Sequence, residues 1–266
     1  MDPNSSTYIF IDAGYLRQVL EQVLVPLAGA PLGIRWTSLL MTFRGKRAFY
    51  YDCVDELRRQ GESDSDYQER LQGQSRQIDE INTVPGFFVR LGSLRGDARR
   101  RRQKEIDVLL AVDMLTHSHN QNMSRAVLIA GDLDFKPVVE ALVMQGTLVT
   151  VVSDLRSTSR DLANAADQHE PLNLRTLWRI SSGPWETATS KLLPSEFAYA
   201  QDPKTPPVQS GLLAGKPVHL YYEGEKWKAV LPVTLATMMS TRWEHRDREK
   251  LLEFMRLEFG PIEWNS

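Results

Sequence analysis

The stretch AVLIAGDLDFKPVVEALVMQGTLVTVV, residues 126–152, contains a complete strand–helix–strand unit. Its first five residues, AVLIA, are a short apolar run that is typical of a buried β-strand. Residues 135–146 have the composition and spacing of an amphipathic helix. Pro137 suits the first turn of that helix, where no backbone donor is needed, and Gly146 suits its C-terminal cap. The apolar run 147–152 then predicts a second strand.

The same alternation continues on both sides of this unit. Further strands are predicted at residues 8–11, 48–51, 86–91 and 174–180. Helices are predicted at residues 16–24, 62–82, 104–117 and 158–166. About six strand–helix units over residues 7–180 are typical of an α/β fold, in which helices cover both faces of a parallel sheet.

After Ile180 the composition changes to segments rich in Pro, Ser and Thr, which are typical of linkers. Residues 218–231 predict a hairpin that turns at Glu223 and Gly224, and residues 248–259 predict a helix. We therefore expect a main domain over residues 1–183. A linker or surface loop is expected over 184–212, and a small α+β region of unknown role over 213–266.

The bulk composition excludes several classes of protein. The 266 residues have a formal net charge of -2, so any nucleic-acid interface must come from a local cluster of cations. A single cysteine, Cys53, excludes an internal disulfide and a cysteine-rich zinc site. Neither a signal peptide nor an apolar run of about 18 residues is visible, so we expect a cytoplasmic protein without a membrane span.

Four aspartates are predicted to meet at one edge of the sheet. Asp12 ends the first strand, and Asp132 and Asp134 follow the strand at 126–130. Asp107 is expected in the first turn of a helix that enters from the same side. In open parallel sheets, ligands bind beyond the carboxyl ends of the strands, where these acids would lie.

Such a group of carboxylates suits Mg²⁺ or Mn²⁺, which prefer oxygen ligands. A bound divalent cation could polarise a phosphoryl oxygen and activate a water. Each acid also has a structural interpretation: helix caps for Asp12 and Asp134, a turn for Asp132 and the helix dipole for Asp107. Three other residues at strand ends could act as a second layer of contacts: Asp52, Ser153 and Asp154.

A basic segment, RGDARRRRQK at residues 95–104, comes immediately before the helix of Asp107. Its cations are Arg95, Arg99, Arg100, Arg101, Arg102 and Lys104. A charge run is often only solvated surface. Because this run is placed beside an acidic edge, we expect it to bind the phosphate backbone of a nucleic acid, with Arg90 extending the patch.

In this order, YIFIDAGYL, GFFVRLGSLRGDARRRRQKEIDVLLAVDML and AVLIAGDLDFKPVVEALVMQGTLVTVV resemble the NYN family of PIN-like nucleases, in its LabA-like branch. The resemblance spans about residues 7–180 and implies a three-layer Rossmann-like (PIN-like) fold with an acidic cleft that binds Mg²⁺ or Mn²⁺ and cleaves RNA. By motif position it implies site roles for Asp12, Asp107, Asp132 and Asp134, with Lys104 near substrate phosphate.

The resemblance has two departures and leaves alternatives open. Tyr15 stands where many relatives have asparagine, and Leu133 stands where others have serine. The main alternative is a non-catalytic PIN-like module that binds RNA or a protein. The C-terminal region could bind a protein partner or a second copy of the chain. A haloacid-type phosphatase and a nicotinamide-binding domain are disfavoured, because position 14 is glycine and no G-x-G-x-x-G follows the first strand.

Overall fold

The computed structural model describes residues 6–28, 33–54, 58–92, 99–154, 158–182, 195–198, 203–213, 215–231 and 241–265. The chain divides into two compact units. The first comprises residues 1–20 and 34–172, and the second comprises residues 21–33 and 173–266.

The first part of the chain alternates strands and helices. The strands are β1 (Thr7–Asp12), β2 (Gly33–Ile34), β3 (Arg47–Asp52), β4 (Phe87–Leu91), β5 (Arg125–Ile129), β6 (Leu148–Ser153) and β7 (Gln168–Pro171). The helices are α1 (Ala13–Ala28), α2 (Trp36–Thr42), α3 (Asp64–Thr83), α4 (Arg99–His119), α5 (Lys136–Met144) and α6 (Arg160–Ala165). A short 3-10 helix, Leu133–Phe135, precedes α5.

The first unit is built on a six-stranded sheet in the order β4-β3-β1-β5-β6-β7. Every neighbouring pair in this sheet is parallel. The chain runs from β1 outward to β4 and then returns to the other side of β1 at β5. The strand order therefore reverses between β1 and β5, and crevices for ligands form at such a switch point.

Helices cover both faces of this sheet because its strands are buried on both sides. On one face, Phe10 and Leu128 join a core with Leu110 of α4 and Leu142 of α5. On the other face, Trp36 of α2 packs edge-on against Tyr50, with ring centroids 5.2 Å apart. The α/β fold expected from the alternation of strands and helices is confirmed.

One predicted strand is wrong. Residues 174–180 form the helix α7 (Leu174–Ile180), which Asn173 caps by accepting a hydrogen bond from the backbone N–H of Thr176. Leu174, Leu177 and Ile180 are buried, and their spacing of three residues fits one helical face. The sixth strand is instead β7, a polar edge strand without an apolar run.

The second unit contains an antiparallel sheet. After β8 (Ser181–Ser182), its elements are β9 (Ser195–Ala198), β10 (Gln209–Leu213), β11 (Lys216–Glu223), β12 (Lys226–Leu231), β13 (Thr241–His245), α8 (Arg248–Phe259) and β14 (Ile262–Trp264). The sheet order is β14-β10-β11-β12-β13-β9. Trp243 packs on Phe254 of α8 with ring centroids 4.7 Å apart.

The predicted C-terminal elements fit this unit. The hairpin turns at Gly224 and Glu225, one residue later than predicted, and both residues have positive φ. The helix spans the predicted residues 248–259. The contacts divide the chain at Leu172/Asn173 rather than at residue 183, and β9 with most of β10 falls inside the segment predicted as a linker. No helix in the described ranges is long and apolar enough to cross a membrane.

Candidate active site

Asp12 is the last residue of β1 and points into a cleft at the switch point. Its Oδ1 accepts a hydrogen bond from the backbone N–H of Tyr15 at 3.0 Å, so the side chain also caps the start of α1. Burial raises the pKa of Asp12, and the negative charge of Asp132 raises it further. Backbone N–H groups of Tyr15 and Gly14 and the charge of Arg17 act in the opposite direction.

Asp132 lies beyond the end of the neighbouring strand β5. Its Oδ1 accepts a hydrogen bond from the backbone N–H of Asp134 at 3.0 Å, which caps the short 3-10 helix. Asp132 lines the same cleft as Asp12, although its side chain is exposed. Asp134 is exposed too, but among the described residues it is not one that lines the cleft.

Asp107 reaches this cleft from α4. The prediction that it lies in the first turn of its helix is wrong, because α4 already begins at Arg99. The helix-dipole explanation for an acid at this position therefore does not apply, since the dipole acts within the first turn. Leu110 and Met114, on the same helical face, are buried in the core and fix that face towards the sheet.

The cleft has a volume of about 830 Å³. Three of the four predicted aspartates line it, which brings together residues from β1, α4 and the loop after β5. Within the part of the chain that the structure describes, however, no group of three or more His, Cys, Asp or Glu side chains is close enough to hold a metal ion. The aspartates share a cleft without forming a compact ligand cluster.

Arg17 is a residue of the cleft that the sequence did not indicate. It forms a bidentate ion pair with Asp52, with N–O distances of 2.6 and 2.8 Å, and donates to the Tyr50 hydroxyl at 3.0 Å. The backbone N–H of Cys53 donates to Asp52 as well. Asp52 lines the cleft as predicted for a second layer, but its charge is already neutralised by Arg17.

The basic segment can be placed only in part. Arg95 lies outside the described residues. The segment is not a loop throughout, since the residues from 99 onwards form the first turns of α4. These are Arg99, Arg100, Arg101, Arg102 and Lys104, whose side chains also lie outside the description.

Arg90, which was expected to extend this patch, forms an ion pair with Asp113. Its guanidinium donates to both carboxylate oxygens of Asp113, at 2.9 and 3.1 Å. The Tyr51 hydroxyl donates to the same carboxylate at 2.9 Å. Asp113 therefore already pairs with the Arg90 guanidinium, and among the described residues Arg90 is not one that lines the cleft.

The two polar residues predicted at the end of β6, Ser153 and Asp154, have other contacts. The Ser153 hydroxyl is buried and lies 2.8 Å from Nε2 of His169, on the neighbouring strand β7. The backbone N–H of Asp154 donates to the Tyr15 hydroxyl at 2.7 Å. Among the described residues, neither Ser153 nor Asp154 lines the cleft.

Tyr15 stands where many relatives in the resembled family have asparagine. Its side chain contacts the loops that follow two neighbouring strands. Its ring lies over Gly131, where an added Cβ would come within 2.5 Å of the ring carbon Cε2. Its hydroxyl accepts the hydrogen bond from Asp154 described above. Tyr15 therefore joins the loops after β5 and β6, and Gly131 is the residue that leaves space for it.

The family model for the NYN domain matches residues 7–173, well over half of the chain. This chain belongs to the NYN domain family. The crystal structure of a protein of unknown function from Vibrio parahaemolyticus is similar to it, with a TM-score of 0.50 and 17% identity. That similarity covers 68% of this chain and 99% of the other, and it supports the fold alone. No curated protein matches the chain.

NYN domains form a nuclease-like family, and the cleft of this NYN domain offers oxygen ligands of the kind that such enzymes use. Mg²⁺ is commonly held by one or two carboxylates, with waters and substrate phosphate completing its shell. Asp12 and Asp132 suit this arrangement, because each lies at a strand end in the same cleft and their charges interact. The donor set fits a hydrated divalent cation better than a closed protein cage.

Proposed function

We propose that this NYN-domain protein hydrolyses phosphodiester bonds of RNA with Mg²⁺ or Mn²⁺ at the acidic cleft. The observation that supports this most is Asp12, a carboxylate whose ionised form is disfavoured by burial and by the charge of Asp132. A divalent cation between the two would relieve both penalties. Membership of the NYN family supports the same chemistry.

In this proposal each residue has a separate task. Asp12 and Asp132 would hold the cation. Asp107 would accept a proton from the attacking water as its oxygen bonds to phosphorus, while the bond to the leaving oxygen breaks and that oxygen takes a proton from solvent. When bound, the cation polarises the phosphoryl oxygen and lowers the pKa of that water. Asp134 supports the turn of Asp132.

Cations of the basic segment would hold the substrate backbone in the same proposal. Arg99 to Arg102 and Lys104 precede Asp107 on the same helix, which supports this role for them. Carboxylates repel a polyanion, and nearby cations offset that repulsion. We further propose a cytoplasmic location, and a protein partner or a second copy of the chain that binds through the C-terminal region.

The direct test is a time course of cleavage on labelled single-stranded RNA in Mg²⁺, in Mn²⁺ and with a chelator. We expect metal-stimulated cleavage by the unchanged chain. Asp12→Asn and Asp132→Asn should each reduce it more than about 100-fold, since even outer contacts of metal ligands contribute 10- to 100-fold. Asp79→Asn on the exposed face of α3 is the control and should cleave normally.

A second candidate is a module that binds RNA without cleaving it. It is favoured by the lack, in the described part of the chain, of three closely grouped ligand side chains. Tight binding of the same RNA with no turnover in either metal would support this candidate. Cleavage that Asp12→Asn and Asp132→Asn leave unchanged would contradict the proposed active site.

A further inference from the structure

One face of α3 changes from apolar to polar side chains where the helix lines the cleft. Ile81 is fully buried in the core, and Ile78, one turn earlier on the same face, lines the cleft. Continuing towards the helix N-terminus, Gln77 and Gln74 line the cleft as well. Residues three and four apart share one helical face, so the apolar stripe is replaced by two amides at the cleft wall.

Gln74 is incompletely satisfied at this wall. Its Oε1 is shielded from solvent and has no hydrogen-bond partner among the described residues. A buried acceptor without a donor destabilises the free protein, and each such group calls for an explanation. A ligand that brings an N–H group to this position would satisfy it.

The chemistry of the wall distinguishes it from the acidic part of the cleft. An amide offers an acceptor and a donor side by side, and this pairs with the adjacent donor and acceptor on the edge of a nucleobase. The apolar surface of Ile78 and Val54, which also lines the cleft, can contact a base face. An amide oxygen and aliphatic carbons do not attract an anion, so Gln74 and Ile78 favour a base over a phosphate, whereas Arg59 of the same cleft suits a phosphate.

The acids and the amides line one cleft, so a single strand could place a phosphate at the first and a base at the second. A base inside a duplex has its pairing edge occupied and cannot enter such a wall, whereas an unstacked base can. The substrate would therefore be single-stranded at the site of cleavage.

We propose that Gln74 and Gln77 form a subsite that binds one nucleobase of a single-stranded RNA, with Oε1 of Gln74 accepting a hydrogen bond from the base. This inference rests on the proposed function, because it names the part of the substrate next to the cleaved phosphate. It assigns recognition of the base to α3 and leaves the chemistry to Asp12, Asp107 and Asp132.

The test measures binding to the full chain in chelator, where metal-dependent cleavage is absent. The probes are fluorescent RNA pentamers of adenosine, cytidine or uridine, and an abasic pentamer with the same ribose-phosphate backbone. We expect at least one of the three base-containing pentamers to bind about tenfold more tightly than the abasic one, the size expected for two hydrogen bonds.

Gln74→Met removes the amide with little change in shape and should abolish most of this preference. Gln72→Met is the matched control, since Gln72 lies on the same helix but is exposed and is not among the described residues that line the cleft. Gln77→Met serves as a second variant. Gln74→Met should also raise the melting temperature of the free chain, because it removes an unsatisfied acceptor, whereas Gln72→Met should not.

The inference is overturned if no base-containing pentamer binds more tightly than the abasic one, or if Gln74→Met and Gln72→Met behave alike. A parallel cleavage assay in Mn²⁺ separates it from the proposed function. Cleavage without any base preference contradicts the subsite alone. A base preference that depends on Gln74, without cleavage, contradicts the nuclease and leaves the subsite standing.

Discussion

Asp12 and Asp52 occupy equivalent places at the ends of neighbouring parallel strands, yet they differ in charge environment. Asp52 receives two hydrogen bonds from the Arg17 guanidinium and a third from a backbone N–H. Asp12 accepts a hydrogen bond from the backbone N–H of Tyr15, and burial raises its pKa. One carboxylate is neutralised within the protein, and the other is placed where a cation would stabilise it.

The different charge environments of Asp12 and Asp52 show that an acid at a strand end is not by that position alone a metal ligand. The topology brings both carboxylates into one cleft. Ion pairing within the protein then determines which carboxylate keeps an uncompensated negative charge that can bind a cation. The same contrast holds for Asp113 and Asp132, because Asp113 is paired with Arg90, while Asp132 is exposed in the cleft.

The largest expected effect concerns stabilisation by divalent cations. A ligand at 100 times its Kd stabilises a folded chain by about 2.7 kcal/mol. We expect Mn²⁺ to raise the melting temperature of the unchanged chain and of Asp52→Asn. We expect Mn²⁺ to leave the melting temperature of Asp12→Asn unchanged. Thermal unfolding in a Mn²⁺ titration measures it.

Asp79→Asn controls for nonspecific effects of removing an exposed acid. If Asp52→Asn loses the stabilisation by Mn²⁺ while Asp12→Asn keeps it, Asp52 rather than Asp12 is the cation ligand. Equal loss in both variants would mean that the ion pair and the candidate ligand form one site.

A smaller effect is expected when the ion pair is broken. Arg17→Met leaves Asp52 without its main counter-charge in a cleft wall where the Asp52 side chain is 13% exposed and that of Arg17 is 37% exposed. We expect a loss of about 2 kcal/mol in the free energy of unfolding, between the values for exposed and for buried pairs. Urea denaturation with chelator present measures it.

The double variant Arg17→Met with Asp52→Asn tests the cause. If the loss comes from an uncompensated charge, the double variant should be more stable than Arg17→Met alone. An equally unstable double variant would assign the loss to the packing of the Arg17 stem instead.

Much of the fold was predictable because the chain repeats a simple pattern. The run at 126–130, the cap residues around α5 and the run at 147–152 each agree with the final structure. The error at 174–180 arose because a short segment that mixes apolar and polar residues, LRTLWRI, fits a strand as well as a short helix. Asn173 was the signal for the helix, and the polar composition of β7 hid the true sixth strand.

The candidate site was predictable only where the strand topology alone fixes the position of a residue. Asp12 and Asp132 follow adjacent strands, so their shared cleft could be inferred from the strand ends. The pairing of Arg17 with Asp52 could not be, because it joins residues 35 positions apart through the packing of α1 on the sheet. The same holds for Tyr15 and Gly131, whose contact depends on one ring orientation.

The smallest expected effect is on the pH dependence of stability. The pKa of Asp12 is raised in the folded chain, with burial as the main cause. The folded state therefore holds this proton more tightly than the unfolded state does. Stability is highest when the group is protonated and falls as the pH rises from the ordinary range of an aspartate through the raised pKa.

Asp12→Asn keeps the capping acceptor for Tyr15 but cannot ionise, so it should remove this loss. In chelator, the free energy of unfolding of Asp12→Asn minus that of the unchanged chain should be smallest near pH 4 and should grow more positive towards pH 7. Urea denaturation across that range measures the difference, with Asp79→Asn as the control for removal of an exposed acid. A difference that grows as the pH falls would place a stabilising counter-charge beside Asp12, and Asp12 would then resemble Asp52 rather than contrast with it.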